Sequence, residues 1–522
     1  MSQMILKRRR YSLPAIRLNG WPLLLPALIA LLWHIAAVKR WMPEQILPAP
    51  AVVADTALSL LSGDLLAQWG FSLQHLAVGL LLGVAAGTLL GALFGLVPAA
   101  AQRIEPLFYA LAQIPTLGWI PLFMALFGID NGLKLAVIVK TTLVPMTIHT
   151  QLAVTSVSPA LGEAAQVMNF SRWQRLRWLV IPASLPGWFT GLRLALSQAW
   201  VSLIVVELLA SSEGIGYLMV WGRQLFQLDI VFVTIAVVGL SGLLMEWATN
   251  RVYARLVFWP QLATGRLAWK PQASWHAFQL PLILLALWQL ASGWGWIDST
   301  LFSSPLAVAQ RFMAGAASGE LPAAMLASLG RAFAGGALGI AIGLLCGLLL
   351  ALRPRAGQIL TPTLNVLRHI ALFAWLPLLT AWVGNDNGGK IVFIALASFF
   401  PMFFSTLQAV SQRDPQLDEV AKVLRFGPLT RLRTLILPGA APGIFAGLRL
   451  ALIYAWLGNI GAEYFMSSGT GIGSLMINAQ QLLDMPTILC GMVLIGITGA
   501  ALDKAGRLLE SRATCWRQRE QR

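Results

Sequence analysis

Runs of about twenty apolar residues recur along the whole chain, and that feature decides what it can become. A helix needs about 20 such residues to cross the hydrocarbon core of a bilayer. Six runs fall in the first half, near 21–41, 72–97, 107–128, 133–153, 187–211 and 229–250. Six more lie near 276–296, 328–352, 364–384, 390–410, 443–468 and 484–506. In lipid every backbone polar group must be satisfied within its own segment, so runs of this kind fold as helices. The 522 residues are 57% hydrophobic and only 11% charged. An ordinary soluble domain is roughly 25% charged, so a soluble globular enzyme, a disordered chain and a secreted scaffold are excluded. Cys346 and Cys490 sit in apolar runs and Cys515 in a basic tail, with no spacing for disulfides or a metal.

Arginine and lysine set the orientation, because they collect in the cytoplasmic loops of membrane proteins. With the N-terminus inside, 27 of the 37 basic residues are cytoplasmic. Lys39, Arg40, Lys134, Arg223, Arg311, Arg331 and Lys390 are then outside, and Lys140, Arg193 and Arg449 lie within spans. Both termini are expected in the cytoplasm, and the formal net charge of +16 needs no nucleic acid to explain it. Lys7-Arg8-Arg9-Arg10 reads as a topology anchor beside anionic lipid. The apolar run after it recurs internally at 276–296, which favours a retained span over a cleaved signal peptide.

The chain is also duplicated. Gly191-Leu192-Arg193-Leu194-Ala195-Leu196 returns unchanged 256 positions later as Gly447-Leu448-Arg449-Leu450-Ala451-Leu452. The same offset relates Glu163 to Glu419, Pro182 to Pro438, Trp200 to Trp456 and Glu207 to Glu463. It shifts to 257 at Gly214-Ile215-Gly216 and Gly471-Ile472-Gly473. Two halves with six spans each enter from the same side, which predicts a parallel repeat about an axis along the membrane normal. The expected organisation is a basic N-terminus at 1–20, a six-helix domain at 21–250, a cytoplasmic linker at 251–275, a second six-helix domain at 276–506 and a basic tail at 507–522. The fold class is therefore all-α and polytopic, with about twelve transmembrane helices and a solute route between the halves.

The longest inner loop follows the fourth span of each half. It carries Glu163-Ala164-Ala165, three arginines and Pro182, then Glu419-Val420-Ala421, three arginines and Pro438. Pro159 and Pro415 suit helix starts, and a short amphipathic helix is predicted from Pro159 to Phe170 with Ala164, Val167 and Met168 on one side. A basic loop resting on headgroups is the bland alternative, but its occurrence twice, with the acid, the break and the next span in register, favours a force-receiving elbow.

These residues resemble the inner-membrane permease subunits of bacterial ABC importers. Similarity is greatest to the nitrate, sulfonate and taurine group, through Trp119-Ile120-Pro121-Leu122, Gly128-Ile129-Asp130-Asn131-Gly132 and Gly214-Ile215-Gly216-Tyr217-Leu218. The resemblance covers about 70–250 and 328–506, so two permease copies are fused in one chain. It implies that Glu163–Asn169 and Glu419–Arg425 are coupling helices docking on two ATPase subunits. It also implies a substrate-binding protein outside, ATP and magnesium on the ATPases alone, no covalent chemistry in this chain, and a bacterial inner membrane. The family motif places glycine where this chain has Asn169 and Arg425, and Val420 replaces an alanine. Asparagine tolerates a left-handed turn and arginine does not, so the second elbow is expected to end differently or to face a different ATPase surface.

Gly384-Asn385-Asp386-Asn387-Gly388-Gly389-Lys390 imitates a phosphate-binding loop. Ile391 occupies the Ser/Thr position, no strand precedes it, and its repeat partner at Gly128–Lys134 lacks the second glycine, so it reads as a turn. Ionisable residues within spans are functional candidates. Arg193 and Arg449 are expected to snorkel or to pair with the elbow loop. Glu207 and Glu463 either line the path or stay hydrated at its outer end. Lys140, whose repeat partner is Leu396, either offsets an anionic solute or pairs with an acid such as Glu207. Gln113 and His369, Trp119 and Trp375, and Gln198 and Tyr454 are equivalent pairs from which the path lining is expected to be drawn. Two rivals remain: a fused permease of the iron or thiamine type, and an ion-coupled secondary transporter, which would need mid-span acids that are scarce here.

Overall fold

The computed structural model describes residues 21–157, 159–257, 259, 276–296, 298, 302–412, 419, 421, 423–466 and 469–515. In the first half the helices are α1 (Trp21–Val38), α2 (Pro50–Leu61), α3 (Leu65–Leu96), α4 (Pro98–Ala112), α5 (Thr116–Phe127) and α6 (Asn131–Thr155). They continue with α7 (Pro159–Val167), α8 (Ile181–Ala210), α9 (Ile215–Gln224) and α10 (Leu228–Leu256). The second half repeats them as α11 (His276–Gly293), α12 (Pro305–Ala317), α13 (Glu320–Leu352), α14 (Pro354–His369), α15 (Leu376–Trp382) and α16 (Asn387–Ser411). It ends with α17 (Leu437–Phe465), α18 (Ile472–Gln481) and α19 (Met485–Ala513).

Among the described residues eight helices are long and apolar enough to cross a membrane, and two bent pairs raise the number to ten. α1 and α11 are the shorter apolar helices at the start of each half. The bent pairs correct the expected third spans: α4 and α5 meet at 91°, and α14 meets the Leu372–Trp382 segment at 94°. In the first half Pro115 stands at the break in extended backbone, without an N–H to continue α4. In the second half Ile370 and Ala371 are extended with no proline at all.

Helix packing shows that each bent pair is a crossing rather than a re-entrant loop. Gly79, Gly83 and Gly87 of α3 lie against Ile138, Thr142 and Met146 of α6, and Gly91 and Gly95 lie against Thr150 and Val154. Both numbers rise together, so α3 and α6 are parallel, and the segment between them must return through the bilayer. The second half repeats the arrangement, with Gly335, Gly339, Gly343 and Gly347 against Ile394, Ser398, Met402 and Thr406. A Cβ at Gly79 would lie 2.6 Å from Ile138 and one at Gly87 2.6 Å from Met146. Only small residues permit this backbone approach, the usual way that lipid-embedded helices gain contact.

α8 returns antiparallel to α6, with Gly187 beside Ala153, Gly191 beside His149, and Thr141 Oγ1 donating to Ser202 Oγ at 3.2 Å. α7 therefore lies at one membrane face. α2 lies at the opposite, far face, where Thr56 donates to Asp229 at the start of α10 over 2.6 Å. The glycine-rich phosphate-loop imitation is a far-face turn: Gly384 has φ 102° and Asp386 accepts from the Gly389 N–H at 3.1 Å, capping α16.

The halves interlock. α1 packs on α14 of the second half, and α11 packs on α4 of the first. The last helix of each half abuts the break of the other: Gly239 and Gly242 face Ile370 and the His369 carbonyl, and Gly496 and Gly499 face Ile114 and the Gln113 carbonyl. Leu117 and Phe373, which are repeat equivalents, meet beside Gly461 on this seam.

Candidate functional site

At the first elbow Ala165 is buried while Glu163 and Ala164 are exposed, and Val167 and Met168 project at 83% and 66% exposure. The helix ends in a left-handed residue, Asn169 at φ 54°, with Phe170 N–H donating to Ala165 O at 3.0 Å and Asn169 N–H to Gln166 O at 2.9 Å. Ser171 and Gln174 then cap each other reciprocally and start the next turn. The turn Leu176–Val180 is π-helical and leads into Pro182. A widened turn absorbs the hydrogen bond that proline cannot make.

The second elbow matches where it is described. Glu419 is exposed, Ala421 is buried, and Val423 and Leu424 are 81% and 58% exposed. Val420 lies outside the described residues. The expectation that Arg425 would end this helix differently is overturned: Arg425 has φ 52° and Phe426 N–H donates to Ala421 O at 3.0 Å, as in the first copy. A second π-turn, Leu432–Ile436, precedes Pro438. The arginine accepts a conformation that costs a non-glycine residue about 1–2 kcal/mol.

Glu207 and Glu463 face neither a path nor the outer interface; they are 1% and 2% exposed. Glu207 accepts from Ser72 Oγ at 2.7 Å and from Gly216 N–H at 2.9 Å, and Ser72 in turn accepts from Ile215 N–H at 2.9 Å. Glu463 accepts from Ser328, Asn459 and Gly473 at 2.7, 2.9 and 2.7 Å, and additionally from Arg331. Each carboxylate staples the end of its fifth span to the following glycine turn and to the second span. Where the second half has Arg331, the first has His75, 3.8 Å from Glu213, which also holds Lys134 at 3.3 Å.

Arg193 and Arg449 turn to the last helix of their own half rather than to the elbow loop. Arg193 lies 4.9 Å from the Tyr253 ring centroid, and Arg449 donates to Asp503 at 2.6 Å. Lys140 does not meet Glu207. Its ammonium donates to Ile114 O at 2.9 Å and Thr116 Oγ1 at 3.3 Å, and stands 5.8 Å from the Trp119 ring. Trp119 Nε1 donates to the same carbonyl at 3.3 Å. Of the other candidates, Gln113, Gln198 and Tyr454 are exposed, Trp119 and Trp375 half-buried, and His369 pairs with Glu246 across the seam at 2.9 Å.

Sequence reasoning missed Glu105, which is 2% exposed on α4 with neither carboxylate oxygen hydrogen-bonded. The expected span began at 107 and left this acid in a loop; the true helix starts at Pro98. Among the described residues no cluster of three His, Cys, Asp or Glu side chains is disposed to hold a metal.

The geometry is thus two equivalent elbows on one face, two stapled turns on the other and an interlocked seam between. Comparison with known proteins adds the family. A model described as binding-protein-dependent transport system inner membrane component matches residues 79–258 and again 339–512. A putative aliphatic sulfonates transport permease protein of Bacillus subtilis is 35% identical over 46% of this chain and 86% of its own length. A nitrate import permease protein of Leptolyngbya laminosa is 31% identical over 36% of this chain and 68% of its own. The taurine transport system permease protein of Escherichia coli is 27% identical over 45% of this chain and 87% of its own.

Proposed function

The chain belongs to the family of binding-protein-dependent transport system inner membrane components, twice over, and from that premise we propose how its two halves work. It is the permease of an ATP-driven ABC importer, with two permease units in one chain that is about twice as long as the relatives it matches. The α7 face is cytoplasmic in this reading, which the clustering of arginines beside the elbows supports. Two ATPase subunits seat beneath Glu163–Asn169 and Glu419–Arg425. The exposed Val167–Met168 and Val423–Leu424 pairs give each an apolar anchor within a basic loop. ATP and magnesium are held by those subunits. Their closure brings the elbows together, and the rigid link through the π-turns and Pro182 or Pro438 carries the movement into the fifth spans. The seam then opens toward a substrate-binding protein on the far face. The membrane is the bacterial inner membrane, with both termini in the cytoplasm.

The solute is a small oxyanion of the sulfonate, taurine or nitrate kind, supported by the names of all three relatives. Those relatives favour this solute over iron or thiamine. Coupling is reciprocal, so a loaded binding protein that favours one state also alters ATP hydrolysis.

The observation that carries the coupling assignment is the pair of equivalent elbows, each with a buried alanine, a left-handed end and two projecting apolar side chains. Glu163→Lys combined with Glu419→Lys is expected to abolish co-purification of the ATPase while membrane insertion stays normal. Undiminished co-purification of the double variant would remove the docking assignment.

A further inference from the structure

The two halves match at the elbows and share the carboxylate, serine and glycine of the stapled turns, to which the second half adds Arg331 and Asn459, and they differ most beside the break of the third span. In the first half Lys140, Thr116, Thr141 and Ser202 form one polar cluster. Thr141 Oγ1 lies 3.1 Å from Thr116 Oγ1 and 3.2 Å from Ser202 Oγ, and the lysine donates to Thr116 and to the Ile114 carbonyl. The equivalent positions of the second half are Leu396, Leu372, Ala397 and Gly458. Four polar side chains in the first half thus correspond to three apolar side chains and a glycine in the second.

A structural role for the lysine is the natural first thought, because it binds a carbonyl freed by the break. The second half removes that explanation. With Leu396 in place of the lysine it bends by 94°, against 91° with the lysine. The fold forms this break without a lysine at the equivalent place on the fourth span. A charge inside a span is costly, and no carboxylate among the described residues lies within ion-pairing distance of the Lys140 ammonium. An ammonium has three N–H donors, and two are engaged here, which leaves one. The cluster stands next to the seam, where Ile114 touches Gly496 and Leu117 lies beside Gly461, both of the second half.

We infer that Lys140, with the hydroxyls of Thr116, Thr141 and Ser202, is the anion-selecting point of the translocation path, a one-sided site for the oxygens of a sulfonate- or nitrate-like headgroup. This rests on the oxyanion reading above and deepens it by naming the groups on this chain that meet the solute. One lysine and three hydroxyls match the oxygens of such a headgroup with charge-assisted and neutral hydrogen bonds. A single cation also holds the ion weakly enough to let it leave, as a transit site must. The hydroxyls meanwhile keep the empty site hydrogen-bonded, so no bare ammonium is exposed to the apolar half between solutes.

The test uses the full transporter, reconstituted with its ATPase and binding protein, and compares Lys140→Leu, Lys140→Arg and the double variant Lys140→Leu with Leu396→Lys. Uptake of labelled nitrate, ethanesulfonate and taurine is measured beside basal ATP hydrolysis and subunit assembly. Lys140→Leu is expected to lower uptake by about tenfold or more, the worth of one charge-assisted contact, with basal hydrolysis and assembly retained. Lys140→Arg and the lysine moved across the axis are expected to restore uptake. Undiminished uptake in Lys140→Leu, or a loss that neither rescue repairs, overturns the assignment. A second arm needs no transport: crystals of the same complex grown with iodide are expected to show anomalous density beside Nζ in the wild type and none in Lys140→Leu. Iodide missing from the wild type, or kept by the variant, again overturns it. Iodide bound at Lys140 in a complex that imports none of the three anions supports the site and removes the solute reading instead.

Discussion

Glu207 and Glu463 occupy the same place in the two halves and carry different electrostatic loads. Without Glu207, the hydroxyl of Ser72 and the N–H of Gly216 would be buried with no acceptor, at a cost of about 1–3 kcal/mol. Without Glu463, Arg331 also loses its counter-charge while itself only 8% exposed. Breaking a buried pair in that way costs about 3–5 kcal/mol. Both alanine variants are therefore expected to unfold at lower temperature in detergent, Glu463→Ala markedly lower than Glu207→Ala. Adding Arg331→Ala to Glu463→Ala should recover part of the difference, and equal melting of the two single variants would contradict this account. The sequence singled out both acids, because a carboxylate repeated within apolar spans is conspicuous. It did not reveal their partners: Ser72 lies 135 residues from Glu207, and no periodicity marks a serine that will face it. The same holds for Lys140, legible as an unmatched charge, while the threonines and serine beside it come from three different helices.

Among elements, the parallel contact of α3 with α6 and of α13 with α16 depends on glycines at every fourth position. This pattern was present in the sequence but reads equally well as a feature of any apolar span, because spacing alone does not say which helix will sit against it. The break in the third span was legible only as far as Pro115. Its counterpart at Ile370–Ala371 carries no breaking residue, so the bend there comes from tertiary packing against Gly239 and Gly242 rather than from local preference. The packing predicts opposite outcomes for one substitution on a single helix. A Cβ at Gly343 would come 2.8 Å from the Phe399 carbonyl oxygen and 3.1 Å from Met402 Cβ, whereas at Gly330 it would meet nothing within 4 Å. Gly343→Ala is expected to destabilise by about 1–3 kcal/mol through overpacking. Gly330→Ala should instead stabilise by up to about 1 kcal/mol, the helix-propensity difference between the two residues. Thermal unfolding of the purified variants checks the contrast, and a shift of the same sign in both would show that the glycine face is not the close contact.

At the scale of the molecule, duplication was the plainest message of the sequence, and it invites a picture of two self-contained bundles placed side by side. The structure arranges them otherwise. α1 leaves its own half to cover α14, α11 covers α4, and each last helix closes against the opposite break. Trp33 on α1 stacks on Phe232 of its own half at 5.1 Å, Trp382 of the second half lies 6.2 Å from the same phenylalanine, and its indole donates to Ile46 O at 3.1 Å. Helix crossing between halves leaves no trace in hydropathy, because an apolar helix looks the same whichever bundle receives it. It does have a mechanical consequence: the covalent link between the halves is not what holds them in register. Co-expressed as separate chains 1–258 and 276–522, the halves are expected to insert and to co-purify as one complex that still binds the ATPase. Removing 1–38 from the first of these chains should weaken their association, because the α1 surface on α14 is lost. Halves that separate freely on size-exclusion chromatography would mean that the fusion, and not the exchanged helices, maintains the seam. Persistence of the complex would instead place the strength of the seam in the exchanged helices.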